Sequence, residues 1–211
     1  ELELLAKYCT KYDAYLLSDE VWEQLVFDVP HIGVLHIPEL KERAIKIGSA
    51  GKIFSLTGWK IGWVCACERL INQIAKAHQF INYTSPPALQ YALAYGLQLP
   101  KERFDAAREE FGEARDFLIS GLKNIGWAVL ESKGSYFVNV DLQKSGIILS
   151  GFAAAEILIE KYGIATIPMQ AFCPLGRELP ILRLCFAKSH DTLERALSIL
   201  EVSFQDLSRS K

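Results

Sequence analysis

Apolar positions follow two patterns along the first half of the chain, and each pattern predicts a different element. The start of the sequence predicts a helix, because apolar side chains recur at roughly helical spacing at Leu2, Leu4, Leu5 and Tyr8. Three short apolar runs that end in polar residues predict buried parallel strands at residues 15–17, 44–48 and 61–67. Helical spacing returns in residues 68–83 and 86–99. Strands linked by helices predict an α/β sheet whose chemistry collects at the carboxyl ends of the strands.

The second half of the chain changes in character after Pro100. A long, charged amphipathic helix is predicted over residues 101–123. The pattern after it predicts strands at residues 127–130, 136–140, 164–167 and 181–186, and helices at residues 151–162 and 191–204. This order predicts an α+β module that differs from the first half. We therefore expect two domains, 1–99 and 100–211, with a boundary near Leu99.

Composition and charge narrow the functional classes. The 211 residues are 50% hydrophobic and 23% charged, and the formal net charge of −2 predicts neither nucleic acid nor a membrane surface as a partner. No apolar run is long enough for a transmembrane helix, and the N-terminus lacks the basic region of a signal peptide. The five cysteines and four histidines lack metal-ligand spacing, and scattered cysteines favour reduced thiols in a cytoplasmic protein.

Three charged residues stand on or at the ends of predicted strands: Asp19, Lys52 and Arg183. Each has a simple structural explanation. Asp19 could cap a following helix, Lys52 could be a solvated loop residue, and Arg183 could pair with a carboxylate on a half-exposed strand. Considered together, they meet the requirements of one kind of site.

That site is one that binds an aldehyde cofactor and an amino acid. A lysine amine forms a Schiff base with an aldehyde only when it is unprotonated, which burial or neighbouring cations promote. A pyridine ring is a strong electron sink only when a carboxylate keeps its nitrogen protonated. A phosphate binds hydroxyl, backbone N–H and cationic groups, and an α-amino acid brings a carboxylate that matches the two-bond fork of arginine.

Four segments resemble the class I pyridoxal-phosphate aminotransferases: SDEVWE at 18–23, GSAGKIFSLTGWKIGW at 48–63, GSYF at 134–137 and RLCFAK at 183–188. The second segment is the most specific, because it includes a serine, two lysines and several glycines at fixed spacing. SAGK with TGWKIGW is most similar to the branch that holds kynurenine aminotransferases, glutamine transaminase K, cysteine-conjugate β-lyases and methionine aminotransferases. The resemblance covers nearly the whole chain. It implies fold type I: the C-terminal part of a large α/β domain with a mostly parallel sheet, followed by a smaller α+β domain.

The resemblance also implies roles for individual residues in binding pyridoxal 5′-phosphate. Lys52 would form the Schiff base and shuttle the proton between Cα and C4′. Asp19 would hold the pyridine nitrogen. Ser49 and Lys60 would bind the phosphate, with Lys60 standing where many relatives have arginine.

Two further residues would serve the substrate by the same resemblance. Arg183 would bind the substrate carboxylate. Tyr83, in the segment QFINYTSPPALQ, would contribute to the site of a partner subunit in a homodimer. A packed interface aromatic is an equal alternative for Tyr83.

The chain departs from the family pattern in two places. Trp22 stands three residues after Asp19, where the family usually has a tyrosine whose phenol binds the 3′-oxygen of the cofactor. An indole donates from Nε1 and cannot act as a phenolic acid. The family's N-terminal portion, with its glycine turn and ring-stacking aromatic, has no counterpart in this sequence. We therefore expect a longer protein or a companion chain to supply it, and the 211 residues not to be a competent enzyme alone.

Three functions remain open at this point. The first is transamination between an aromatic, sulfur-containing or glutamine-like amino acid and a 2-oxo acid. The second keeps the cofactor but eliminates the β-substituent of cysteine conjugates. The third is a non-catalytic chain that retains the fold and serves in assembly.

Overall fold

The computed structural model describes residues 1–174 and 177–209. The chain forms two compact units, one from Glu1 to Ala106 and the other from Ala107 onward. The domains 1–99 and 100–211 remain a prediction, because helix α5 (Lys101–Ile125) contains residues of both units. Among the described residues, no helix has both the length and the apolar character needed to cross a bilayer.

The first unit is built on a three-stranded sheet. Its elements in chain order are α1 (Leu2–Lys11), β1 (Leu16–Asp19), β2 (Ala44–Ser49), α2 (Ala50–Ile53), β3 (Gly62–Cys65), α3 (Glu68–Ile81) and α4 (Pro87–Gly96). The strand order is β1-β2-β3. The apolar runs and helical spacing therefore predicted every strand and every long helix of this unit, and they missed the single turn of α2.

The direction of β3 differs from the expectation. β1 pairs in parallel with β2, but β3 runs antiparallel to β2, with Gly48 opposite Trp63 and Ser49 opposite Gly62. The prediction of a third parallel strand is wrong, because an apolar run indicates burial and carries no information on strand direction. The close pair is made possible by Gly48, since a Cβ there would come within 2.2 Å of the Trp63 indole.

The core of the first unit lies on one face of its sheet. Ala6 and Cys9 of α1 pack with Ala44 of β2 in one buried cluster, and Leu16 of β1 packs against that cluster. The opposite face is open in the described chain: Leu17 is 64% exposed. Leu17 thus lies on the face of β1 that α1 does not cover, whereas Leu16 lies on the face that α1 covers.

The described residues of the second unit form a four-stranded antiparallel sheet and three α-helices, of which α5 begins in the first unit. Its elements after α5 are β4 (Ala128–Val129), β5 (Phe137–Asp141), α6 (Gly151–Tyr162), β6 (Ile167–Pro168), β7 (Ile181–Cys185) and α7 (His190–Arg209), with strand order β4-β5-β7-β6. This is the α+β arrangement that the sequence predicts. β6 is shorter than predicted and lies at the sheet edge, where Pro168, which has no N–H, is tolerated.

Local sequence explains the limits of α6. The Ser150 side chain accepts a hydrogen bond from the Ala153 N–H at 3.2 Å and caps the first turn. Gly163 ends the helix in the left-handed conformation, at φ 69°, and its N–H donates to the Ile159 carbonyl. The helix packs over a core that includes the fully buried side chains Val138, Val140, Leu158, Leu182 and Leu200.

Candidate active site

Polar side chains collect at one edge of the sheet in the first unit. β1 ends at Asp19 and the parallel β2 ends at Ser49, so both strands present their carboxyl ends there. β3 begins at the same edge because it is antiparallel, and the Ala50 N–H donates to the Ile61 carbonyl at 3.1 Å. Lys60, which precedes Ile61, is thereby brought to the end of β2. A parallel β3 would have placed it at the opposite edge.

Lys52 lies in the single turn of α2, directly after β2. Ser49 starts this turn: its side chain accepts a hydrogen bond from the Gly51 N–H at 3.2 Å. Lys52 is half-buried, and its Nζ lies 5.0 Å from the centroid of the Trp22 ring. The lysine and the residue that departs from the family pattern therefore face each other.

Small residues keep the backbone around Lys52 close-packed. A Cβ on Gly51 would lie 3.1 Å from Thr57 Cα and 3.3 Å from Ser49 Oγ. At Gly62, a Cβ would lie 2.6 Å from the Gly48 carbonyl oxygen. By contrast, a Cβ on Gly58 would meet nothing within 4 Å. A Cβ would therefore clash at Gly62, as it would at Gly48, and it would be tight at Gly51.

Lys60 has an unusual backbone conformation. It adopts the left-handed region, with φ 53° and ψ 41°, and its side chain is exposed. This region is unfavourable for residues other than glycine, and such strain is concentrated at functional sites. The conformation therefore favours a functional reason for a lysine at this position.

Asp19 does not cap a helix. The residues after it form turns, and its Oδ1 accepts a hydrogen bond from the Val21 N–H at 3.3 Å. The helix-cap alternative is therefore wrong. Asp19 is exposed, whereas the neighbouring Glu20 is 6% exposed. The buried carboxylate at the end of β1 is Glu20, a residue that the sequence did not single out.

Glu20 is the centre of a polar network. Its Oε1 accepts the Val34 N–H at 2.8 Å, and its Oε2 lies 2.9 Å from His31 Nε2. Burial alone raises the pKa of Glu20, but the bonds from Val34, His31 and Ser18, with the charge of Lys46, outweigh it and leave the pKa below its ordinary value.

The same network has the composition of a metal site but already contains a cation. Potential ligand atoms of Glu20, Glu23 and His31 lie within 4.8 Å of one another. Lys46 Nζ lies 2.5 Å from Glu23 Oε2 and 3.8 Å from Glu20 Oε2. A lysine ammonium thus supplies the positive charge among these carboxylates.

Arg183 belongs to the second unit, on β7, opposite Asn139 of β5 and Ile167 of β6. Its guanidinium carbon lies 4.1 Å from the Phe137 ring centroid and 5.1 Å from that of Phe172. Among the described residues, nothing accepts a hydrogen bond from its buried Nε–H, and the buried Oδ1 of Asn139 has no donor. Buried polar groups without partners are uncommon, and these two are free to bond to a ligand.

Tyr83 follows α3 and is 80% exposed, with a positive φ of 60°. The structure therefore brings together Asp19, Trp22, Ser49, Lys52 and Lys60 within the first unit. It describes Tyr83 as an exposed aromatic of that unit and Arg183 as a half-buried cation of the other.

The donors in the first unit fit the chemistry of pyridoxal phosphate. A primary amine suits the aldehyde, a carboxylate suits the pyridine nitrogen, and a hydroxyl with a second ammonium suits the phosphate. The close-packed glycines leave the backbone approachable beside these groups. Trp22 offers an aromatic face where a phenol is usual in the family.

Comparison with known proteins places these observations in a family. Residues 1–200 match the model for aminotransferase class I and II. A probable N-succinyldiaminopimelate aminotransferase from Mycobacterium tuberculosis is 37% identical over 96% of this chain and 53% of its own length. The kynurenine–oxoglutarate transaminase 3 of Mus musculus is 33% identical over 94% of this chain and 48% of its own length.

A solved structure gives the same result for the fold. The Escherichia coli protein YbdL, for which a methionine aminotransferase function was identified, superposes with a TM-score of 0.90 at 31% identity. The match covers 95% of this chain and 53% of that one, so the chain spans about half the length of the relatives that it matches. The predicted fold class and the resemblance to the branch with kynurenine and methionine aminotransferases are confirmed. The chain belongs to the class I and II aminotransferases.

Proposed function

We propose that this chain binds pyridoxal 5′-phosphate through Lys52 and serves the transfer of an amino group from an amino acid to a 2-oxo acid. The observation that carries the proposal is the meeting of Asp19, Ser49, Lys52 and Lys60 at one edge of the first sheet. These four side chains match three chemical groups of the cofactor: the pyridine nitrogen, the aldehyde and the phosphate. Family membership supports the same reaction class.

Each residue at this edge has its own task in the proposal. Asp19 keeps the pyridine nitrogen protonated through its carboxylate. Ser49 and Lys60 hold the phosphate through a hydroxyl and an ammonium. Trp22 positions the Lys52 side chain through its ring, which lies 5.0 Å from Nζ.

Lys52 carries the covalent attachment and then moves a proton. When bound, the cofactor supplies an electron sink for the bond that breaks at the substrate Cα. The free amine of Lys52 would accept the proton from the substrate Cα and hold it for return, which is general acid–base catalysis by a positioned side chain. Substituting Lys52 removes both tasks at once.

Arg183 binds the substrate carboxylate in this proposal. Its guanidinium is held against two aromatic rings, and its buried Nε–H has no acceptor within the described part of the chain. A carboxylate would satisfy that donor and a second N–H of the fork together.

The proposal also names the substrates, a partner subunit and a cytoplasmic location. Amino acids that are aromatic, sulfur-containing or glutamine-like, with a 2-oxo acid as acceptor, are the proposed substrates. A homodimer in which Tyr83 serves the partner subunit's site is the proposed assembly. The five cysteines are free, as expected of a cytoplasmic protein.

A donor panel tests the proposed function. The complete native protein is mixed with pyridoxal phosphate, 2-oxoglutarate and single amino acids, and glutamate formation is followed beside its Lys52→Ala variant. The proposal predicts glutamate formation that the variant lacks. Pyruvate and ammonia from cysteine conjugates, without glutamate, would indicate β-elimination instead. No product from any donor, with parent and variant alike, would contradict catalysis.

A further inference from the structure

The turn at residues 21–24, with Glu20 before it, is attached to β2 by buried charges. Ser18 of β1 lies opposite Lys46 of β2, so the Lys46 side chain reaches the residues that follow β1. Its Nζ contacts Glu23 and Glu20, and all three side chains are less than a fifth exposed. Separating one member of a buried ion group leaves the remaining charges buried without a partner, which is unfavourable. The three side chains therefore hold the turn in place.

In the sequence, Trp22 lies between Glu20 and Glu23, the two residues whose carboxylates contact Lys46. The Glu23 N–H donates to the Glu20 carbonyl at 3.0 Å, and the Leu25 N–H donates to the Trp22 carbonyl at 2.8 Å. The segment is therefore a compact turn whose two acidic side chains are held by one lysine. The second attachment is Glu20 itself, through Val34 and His31 in the loop before β2.

We propose that Lys46, with Glu20 and Glu23, forms a positioning clamp that holds Asp19 and Trp22 at the proper place relative to Lys52. Lys46 lies on β2, the strand that leads directly into Ser49 and Lys52. The clamp thus connects the segment that would contact the cofactor ring with the segment that would bind its aldehyde and phosphate. The inference rests on the proposed function, because the contacts that it positions are those of the cofactor.

The clamp also explains two sequence features. The first feature is the pair of adjacent acidic residues in SDEVWE: Asp19 is exposed at the site, and Glu20 is buried and contacts Lys46. The low pKa of Glu20 keeps its carboxylate charged beside Lys46 at neutral pH. The grouping of Glu20, Glu23 and His31 is accounted for without a metal ion.

The test compares three variants in the purified protein. Lys46→Met removes the charge and keeps the length of the side chain, and Lys46→Arg restores the charge. Arg43→Met is the matched control: Arg43 precedes β2 and binds Asp13 and the carbonyls of Cys9 and Ala14, away from the clamp. Thermal unfolding of each variant measures the general loss of stability.

Two readouts separate positioning from general stability. Hydrogen exchange of the peptide that covers residues 20–27 reports the turn without any cofactor. Absorbance during titration with pyridoxal phosphate, repeated across pH, reports its affinity and the pH midpoint of the lysine-bound form.

The clamp predicts faster exchange in residues 20–27, a shifted midpoint and an affinity lower by about tenfold to a hundredfold in Lys46→Met, as for outer-shell partners at metal sites. Lys46→Arg restores all three, and Arg43→Met leaves them unchanged. Equal effects in Lys46→Met and Arg43→Met, or none in either, would overturn the clamp while the parent still binds cofactor at Lys52. A parent that forms no lysine-bound cofactor would overturn the proposed function, and the inference with it.

Discussion

The ammonium of Lys52 lies 5.0 Å from the centroid of the Trp22 ring, within cation–π distance. A tyrosine is usual in the family at the position of Trp22, and its phenol could donate to the cofactor. The indole face instead holds the lysine through its π electrons. This contact links the residue that departs from the family pattern to the residue on which the proposed chemistry depends.

We expect Trp22→Leu to release Lys52 and Trp22→Phe to retain it. A cation–π contact at a partly exposed site contributes about 0.5–1 kcal/mol to holding the charged amine, or roughly a twofold to fivefold change in reactivity. The rate at which Lys52 is acylated at fixed neutral pH, followed by peptide mass, should rise by that factor in Trp22→Leu. Equal rates in the Leu and Phe variants would mean that the ring face does not hold the lysine.

Trp22→Tyr tests whether the side chain at position 22 contacts the cofactor. A tyrosine should add a hydrogen bond to the 3′-oxygen and shift the pH midpoint of the yellow, lysine-bound form to lower values. Absorbance titration measures this midpoint. If it does not move, Trp22 does not face the cofactor.

Lys60→Gly separates phosphate binding from stability. Glycine accepts the left-handed backbone at φ 53°, where other residues lose about 1–2 kcal/mol, but its greater freedom in the unfolded chain costs roughly 0.5–1 kcal/mol. The free energy of unfolding should therefore not fall. Loss of the ammonium should weaken binding of pyridoxal phosphate but leave binding of pyridoxal, which has no phosphate, unchanged. Titration with both compounds measures the difference, and equal losses for the two would argue against a phosphate contact.

Gly48→Ala should destabilise the first unit by steric conflict. The added Cβ would lie 2.2 Å from the Trp63 indole, and overpacking of this kind costs about 1–3 kcal/mol. Gly58→Ala is the control, because nothing lies within 4 Å of the added atom. Denaturant unfolding should show a lower midpoint for Gly48→Ala alone, and similar midpoints for the two would contradict the packing described for β2 and β3.

Acid should weaken the fold through Glu20. Because the pKa of Glu20 is lowered in the folded protein, its contribution to stability is complete above the ordinary value of 4.5 and is lost as the pH falls from there through the lowered pKa. Glu20→Gln should therefore flatten the dependence of the unfolding free energy on pH in this acidic range. An equally steep dependence in parent and variant would assign acid sensitivity to other groups.

The sequence predicted the order and type of nearly all elements because hydrophobic period follows from secondary structure. It did not predict the direction of β3, although that direction brings Lys60 to the end of β2 beside Ser49. A buried strand has the same run of apolar residues whether it is parallel or antiparallel to its neighbour. The direction of β3 follows from the short connection between α2 and β3. This connection brings the chain back to the sheet edge at which β2 ends.

The sequence also identified Asp19 as the important carboxylate and passed over Glu20. Both follow the same apolar run, and alternation at the end of a strand gives them opposite environments. Only the loop at residues 31–34, which folds back to contact Glu20, determines which carboxylate is buried. Contacts of this kind join residues distant in sequence, so local pattern cannot predict them.

Covalent trapping at Lys52 tests the central claim most directly. The protein is mixed with pyridoxal 5′-phosphate, reduced with borohydride, digested and mapped by mass spectrometry. The proposed site predicts a pyridoxyl-phosphate label on Lys52 that is absent from Lys52→Ala. A label confined to Lys46 or Lys60, or scattered equally over exposed lysines in both proteins, would contradict it.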